Sequence, residues 1–183
     1  QRSPKTLHLP CQAVSIDLFT PRLSSNRDID LLIDGSRRRD RDFWCAHAME
    51  SGLNVFATLT DRHKSRGLSE EEYYNRMGRA QLVINSGLVS PGVGIMTFRI
   101  FEAICSQALL LQYEECPISD YFQPFIHYVP FKNIHEMICY SQFLLKHEYY
   151  RQRIVKEAFN WNSEHFNGQL FWHAIFSNFY ETK

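Results

Sequence analysis

FRIFEAICSQALLL, residues 98–111, joins two periodicities in one stretch. Phe101, Ile104, Cys105 and Ala108 recur at i, i+3, i+4 and i+7, which gathers them on one face of a short helix. LLLQY, 109–113, apolar but for Gln112, then turns into a strand. A helix feeding directly into a buried strand is the repeating unit of an α/β fold. On the helix, Arg99, Glu102 and Ser106 fall at i, i+3 and i+7, opposite the apolar face. Arg99 can there reach anionic oxygens near the helix start, while Glu102 accepts hydrogen bonds from neighbouring hydroxyls. The same pair also fits an ordinary surface ion pair of little energetic weight.

Outward from this stretch the alternation continues. Upstream, IDLLIDG (29–35) is an apolar run closed by Gly35, RDFWCAHAMES (41–51) places Phe43, Trp44 and His47, with Cys45 and Met49, at helical spacings, and LNVFATL (53–59) is a second strand. A polar loop, DRHKSRG (61–67), precedes Ser69 and Glu72, which form a capping box that predicts a helix over 70–79. QLVIN (81–85) is a third strand, followed by a glycine-bearing loop, SGLVSPGVG (86–94). Downstream, HYVPF (127–131) is a fifth strand, Asn133 with Glu136 caps a helix to about Leu145, and EYYRQRIVKEAF (148–159) is another helix. Ser163 is expected to cap a last, aromatic-rich helix through FNGQLFWHAIFSNFY (166–180). Ahead of all this, LHLPCQAVSIDLF (7–19) suggests extended segments broken at Pro10, and PRLSSNRD (21–28) a loop. Residues 1–27 are therefore an extended lead-in, and 28–183 one α/β domain with a parallel sheet flanked by helices.

Composition bounds the function. A chain of 183 residues, 44% hydrophobic and 22% charged, has material for one core. Its formal net charge of zero lacks the footprint of a general nucleic-acid binder, despite the local run Arg37, Arg38, Arg39 and Arg41, so any bound anion should be small. Five cysteines, Cys11, Cys45, Cys105, Cys116 and Cys139, show no CxxC pair, which predicts reduced thiols in a cytoplasmic protein. No apolar run approaches the roughly 20 residues of a membrane span. The chain opens on Gln1 with a polar QRSPKT, as a piece of a longer protein would, so that any active site it carries could be half a site.

In open α/β sheets ligands bind beyond the carboxyl ends of the strands. Two loops there have suitable composition. In SPGVGIMT (90–97), Gly92 and Gly94 permit close backbone approach and the following helix start offers free N–H groups to a phosphate, although a GxG before a helix is also a common plain connection. In GSRRRDR (35–41), Gly35 and Ser36 make a turn, and the arginines either neutralise a diphosphate or form a solvated basic helix start. His47 and His135 suit helix-surface or core-edge positions better than metal ligation.

Taken in order, these segments resemble a known family. From about Leu7 to Phe176 the chain is similar to the C-terminal, donor-binding domain of GT-B glycosyltransferases, in particular the group-1-like branch with the CgeB-type proteins. The residues that carry this are LPCQAVSIDLFTP, LLIDGS with Arg41, LSEEEYYNRMGRAQLVIN, GIMTFRIFEAICSQALLL and HYVPFKNIHEMICYSQFLLKHEYYRQRIV, with R-x-FEA the most specific. YFQPFIHYVPFKN also resembles CAP10-type protein glycosyltransferases, and the R-x-FEA region exostosin domains.

The resemblance implies a Rossmann-like sheet flanked by helices, the C-terminal half of a GT-B enzyme, with a helical C-terminal segment. It implies that Glu102 binds ribose or sugar hydroxyls of a nucleotide-sugar, that Arg99 with the loop of Gly92, Gly94 and Thr97 holds the donor phosphates, and that Gly35, Ser36 and Arg41 close the phosphate site. Asn85 matches a frequent asparagine of the branch. No metal and no cofactor beyond the nucleotide-diphosphate sugar is implied. Asp28-Ile29-Asp30 has the DxD form that holds a metal in some sugar transferases, but it enters an apolar strand. Two departures stand out: Gly94 occupies the position eight before Glu102, where many retaining enzymes carry a second glutamate, and Ser106-Gln107 replaces a smaller pair.

The expected activity is transfer of a sugar from a nucleotide-sugar to an unspecified acceptor, with the general base, if the enzyme inverts, in an N-terminal domain or partner subunit. Two alternatives remain: a non-catalytic nucleotide-binding module, and an interaction domain that docks through Phe166, Phe171, Trp172, Phe176, Phe179 and Tyr180.

Overall fold

The computed structural model describes residues 23, 25–61, 68–90 and 92–180. The extended segments expected over 7–19, most of the loop at 61–67, and Cys11 lie outside the described residues. Strands β1 (Ile29–Ser36), β2 (Val55–Thr60) and β3 (Ala80–Asn85) alternate with helices α1 (Arg39–Glu50) and α2 (Glu70–Arg79). A short antiparallel hairpin, β4 (Leu88–Ser90) with β5 (Val93–Gly94), leads to α3 (Phe98–Cys105) and β6 (Leu109–Tyr113). A 3-10 turn at Pro117–Asp120 precedes β7 (Val129–Phe131), and α4 (Ile134–Lys146), α5 (Glu148–His165) and α6 (Gly168–Tyr180) follow.

The main sheet has the order β2-β1-β3-β6-β7, every pairing parallel. Its pleat divides the core. Leu32, Val83 and Leu110 face one layer with Met77, Phe101, Ile104 and Ala158, whereas Leu31, Ile33, Leu82, Ile84, Leu109 and Leu111 face the other with Trp44, Met137, Leu144 and Val155. Because side chains alternate across a strand, these apolar runs supply both layers at once.

The capping signals place the helices. Ser69 Oγ accepts from Glu72 N at 3.2 Å while Glu72 Oε2 accepts from Ser69 N at 3.0 Å, so α2 covers 70–79 as its box predicts. Asn133 Oδ1 accepts from Glu136 N at 3.0 Å, but the Glu136 carboxylate bonds Lys132 N rather than its cap.

Three expectations need correction. Ser163 caps nothing: it lies inside α5, its hydroxyl donating to Phe159 O at 2.8 Å. No breaker separates Phe159 from Gly168, so α5 runs on to His165, and Asn167 Oδ1 accepts from Leu170 N at the start of α6. Ser106 is not on a polar face. It ends α3, fully buried, with its hydroxyl donating to Ala103 O. The loop SGLVSPGVG contains the β4–β5 hairpin, which folds because Gly94 packs against the Glu115 backbone so closely that a Cβ would lie 2.0 Å from Glu115 O.

The aromatic C-terminal stretch divides as well. Phe166 is buried and stacks on Phe122 at 5.1 Å, while Trp172 and Phe176 are exposed and stack on each other. The side chains of Phe171, Phe179 and Tyr180 lie outside the described residues.

Candidate functional site

From β1 the chain moves outward to β2 and then returns past β1 to β3. The carboxyl ends of β1 and β3 are thus the place where the strand order reverses, and connecting loops leave in opposite directions to open a crevice there. Asp34, Gly35 and Ser36 end β1, and Asn85 ends β3.

Arg99 stands at this end of the sheet on the first turn of α3. Only 9% of it is exposed, its Nε lies 3.8 Å from Glu102 Oε2, and its Cζ lies 5.1 Å from the centroid of the Tyr73 ring. Its Nη1 is buried without a hydrogen-bond partner. A buried guanidinium donor in that condition costs free energy until an acceptor arrives. Tyr73 in turn donates its hydroxyl to Glu102 Oε2 at 2.6 Å. Burial, then the nearby Glu102 and Asp34 carboxylates, drive the Tyr73 phenol upward against the pull of Arg99, so it remains a neutral donor. The i, i+3 pair is therefore no solvated surface contact.

Asp34 was not anticipated from the sequence. It is 6% exposed, and its Oδ1 accepts from Thr58 N on β2 at 2.9 Å while Oδ2 is buried without a partner. Burial raises its carboxyl above the ordinary value, partly offset by Arg99, the Thr58 bonds and Arg76. Asp34, Gly35, Thr58, Thr60, Leu68, Tyr73 and Arg99 line one small pocket. The signals for the two missed residues were an acid inside the apolar run IDLLIDG and a tyrosine four residues before the buried Met77. Neither spacing specifies a site.

The arginine run divides. Arg41 folds back so that its Nη1 donates to Ser36 O at 2.7 Å, and its guanidinium feels Asp34, Asp40 and Arg99. Burial, with Arg99 and Arg38 nearby, lowers its pKa below the ordinary value. Gly35 makes this possible: its φ is +136°, and a Cβ there would lie 2.6 Å from Arg41 Nη1. Arg38 donates to Leu88 O on the hairpin, whereas Arg37 and Arg39 are exposed.

Asn85 and Thr97 are joined to each other. Asn85 Nδ2 donates to Gln112 Oε1 at 2.8 Å, and Thr97 Oγ1 donates to Asn85 Oδ1 at 3.1 Å. The hairpin glycines serve the loop itself, since Gly92 N donates to Glu115 Oε2 and Gly94 abuts the Glu115 backbone. That contact leaves no room for an acidic side chain at position 94. The structure thus brings Gly35, Ser36, Arg41, Arg99 and Glu102 around one end of the sheet, ties Thr97 to Asn85, and directs Gly92 and Gly94 toward Glu115.

The other candidates lie elsewhere. Asp28 makes a bidentate pair with Arg79, and Asp30 accepts from Asn54 N and from Gln81 Nε2 at the opposite end of β1. His47 bonds Phe43 O within its helix, and His135 is exposed on α4. Among the described residues no helix is long and apolar enough to cross a membrane.

A family profile described as glycosyl transferase-like matches residues 17–171. No curated protein sequence matches at a significant level. Among solved structures, HepE from Anabaena, in complex with UDP and glucose, is similar with a TM-score of 0.73 at 12% identity over 91% of this chain and 55% of that one. The C-terminal domain of LpcC, a group 1 family glycosyl transferase from Francisella tularensis, is similar with a TM-score of 0.62 at 11% identity over 85% of this chain and 99% of that one. An α1,3-fucosyltransferase shows a TM-score of 0.58 at 19% identity, covering 75% of this chain and 43% of that one. At these identities the likeness is one of fold, that of a GT-B half. The chain spans about half the length of HepE and nearly the whole LpcC domain.

Proposed function

The chain belongs to the glycosyl transferase-like family, and on that premise we propose that it binds a nucleotide-diphosphate sugar beyond the carboxyl ends of β1 and β3 and serves sugar transfer. The observation that carries the reading is Arg99, a nine-tenths buried guanidinium whose Nη1 has no acceptor, held against Glu102 and Tyr73 where the strand order reverses. A diphosphate oxygen supplies the missing acceptor, and the arginine is preorganised for it by burial and by the ring beneath it. Arg41, fixed on Ser36 O, adds a second positive charge.

In transfer, negative charge grows on the nucleoside diphosphate as the anomeric carbon–oxygen bond breaks. Donors already aimed at that charge stabilise the transition state more than the ground state. Glu102, with one oxygen held by Tyr73, keeps its other oxygen for a ribose or sugar hydroxyl. If transfer inverts the anomeric centre, a second domain or subunit supplies the general base; that this chain spans about half the length of HepE supports the reading.

A thermal-shift series with uridine, guanosine and cytidine diphosphates and their sugar conjugates, with and without magnesium, tests this. A ligand that binds only the folded state raises Tm progressively above its Kd. A selective shift supports the reading and names the nucleotide; no shift with any of them removes it.

A further inference from the structure

The amide orientations around Thr97 follow from elementary donor and acceptor chemistry. Gln112, fully buried on β6, places Nε2 3.2 Å from Ser86 O and 3.0 Å from Tyr113 O. Carbonyl oxygens only accept, so that atom must be the nitrogen, and Oε1 must face Asn85. Asn85 then has to present Nδ2 to Gln112, which leaves its Oδ1 for Thr97 and obliges the Thr97 hydroxyl to donate.

Thr97 is the N-cap residue of α3, and threonine in that place ordinarily accepts from an N–H of the first turn. Here it makes no such bond. The first turn, with exposed Phe98 and with Arg99, is left without a side-chain cap, and the same turn carries the buried Arg99 Nη1 that has no acceptor. Ile100 N is spent on Thr97 O at 3.2 Å, so the open donors of this turn are the N–H groups of Phe98 and Arg99 and the Arg99 Nη1.

We propose that Gln112 and Asn85 are positioning residues that hold the Thr97 hydroxyl away from the start of α3, keeping the N–H groups of Phe98 and Arg99 open for a donor phosphate. This rests on the functional reading above. It also changes the part assigned to Asn85: 3% exposed, with both amide atoms engaged, it acts through Thr97 and does not touch the nucleotide. The family resemblance implies Asn85 and Thr97 in the site but gives no sign of Gln112, which lies within an apolar strand.

The experiment compares UDP with uridine, because the ratio of their affinities isolates the phosphate contribution. In Asn85→Ala the released Thr97 hydroxyl is free to cap α3, and the ratio is expected to fall about tenfold, the scale of one anion contact at a helix start. Adding Thr97→Val removes the competing hydroxyl and should bring the ratio back to within about threefold of wild type. A double variant that stays as low as Asn85→Ala overturns the proposal, since loss of structure or of a direct Asn85 contact would not be rescued. Hydrogen exchange on the wild-type protein provides a test independent of these variants. The amides of Phe98 and Arg99 should exchange rapidly without ligand and become protected with UDP; protection already present in the free protein overturns the proposal. If wild type binds no nucleoside diphosphate, the functional reading fails, while exchange in the free protein still decides whether the helix start is open.

Discussion

Replacing Gly35 with alanine tests how β1 delivers the chain to the site. At φ +136° an L-residue is strained, which costs about 1–3 kcal/mol. The new methyl would also lie 2.6 Å from Arg41 Nη1 and 3.0 Å from its Cζ. Because that is the far end of a flexible side chain, it will move rather than block folding, giving up its bond to Ser36 O, worth about 1 kcal/mol. Gly35→Ala should therefore destabilise by about 2–4 kcal/mol, read as a lower urea midpoint at unchanged m by far-UV circular dichroism. Arg41→Ala alone should cost about 1 kcal/mol, and the double variant about 1 kcal/mol less than the sum, since the bond can be lost only once. Additivity within about 0.3 kcal/mol would refute the contact between the two residues, and a single-variant cost below about 0.5 kcal/mol would refute the backbone strain.

Three further expectations concern charge and packing. Glu102→Gln keeps an acceptor for Tyr73 but removes the charge, and should weaken nucleotide-sugar binding by about 1.5–3 kcal/mol with the fold intact; unchanged affinity in titration calorimetry would remove Glu102 from the site. Burial holds the Asp34 carboxyl above its ordinary value, so the native state binds that proton more tightly than the unfolded state and stability falls as pH rises from about 4 through the raised value. Asp34→Asn should flatten that fall, and an unaltered slope of stability above about pH 4 would show that Asp34 is not its source. Phe101→Ala empties a fully buried site between Phe122 and Phe166 and should cost about 3–5 kcal/mol in urea denaturation.

The second reading, docking through the aromatic C-terminal segment, is weakened by Phe166, which is spent inside the core on Phe101 and Phe122. Trp172 and Phe176 remain exposed on α6. The non-catalytic alternative is separated from the leading one by turnover: nucleotide binding without transfer, in the presence of the partner domain, would favour it.

What the sequence determined by itself was local in origin. Apolar runs such as LLIDG, QLVIN and LLLQY specify buried strands because their period of two fills both faces of a sheet. Ser69 and Asn133 locate helix starts because a cap bonds a backbone group only two or three residues away. Arg99 and Glu102 were legible as a pair because they fall one helical turn apart, while R-x-FEA as a motif came from the family resemblance. Tertiary structure decided everything that depends on residues distant in sequence. Tyr73 meets Glu102 from 29 positions away, Asp34 meets Thr58 from 24, and Gln112 reaches Asn85 from 27. Side chains so far apart become neighbours only through strand order and helix packing, so no pattern along the chain could show that Arg99 is buried over a tyrosine or that Thr97 turns away from its own helix.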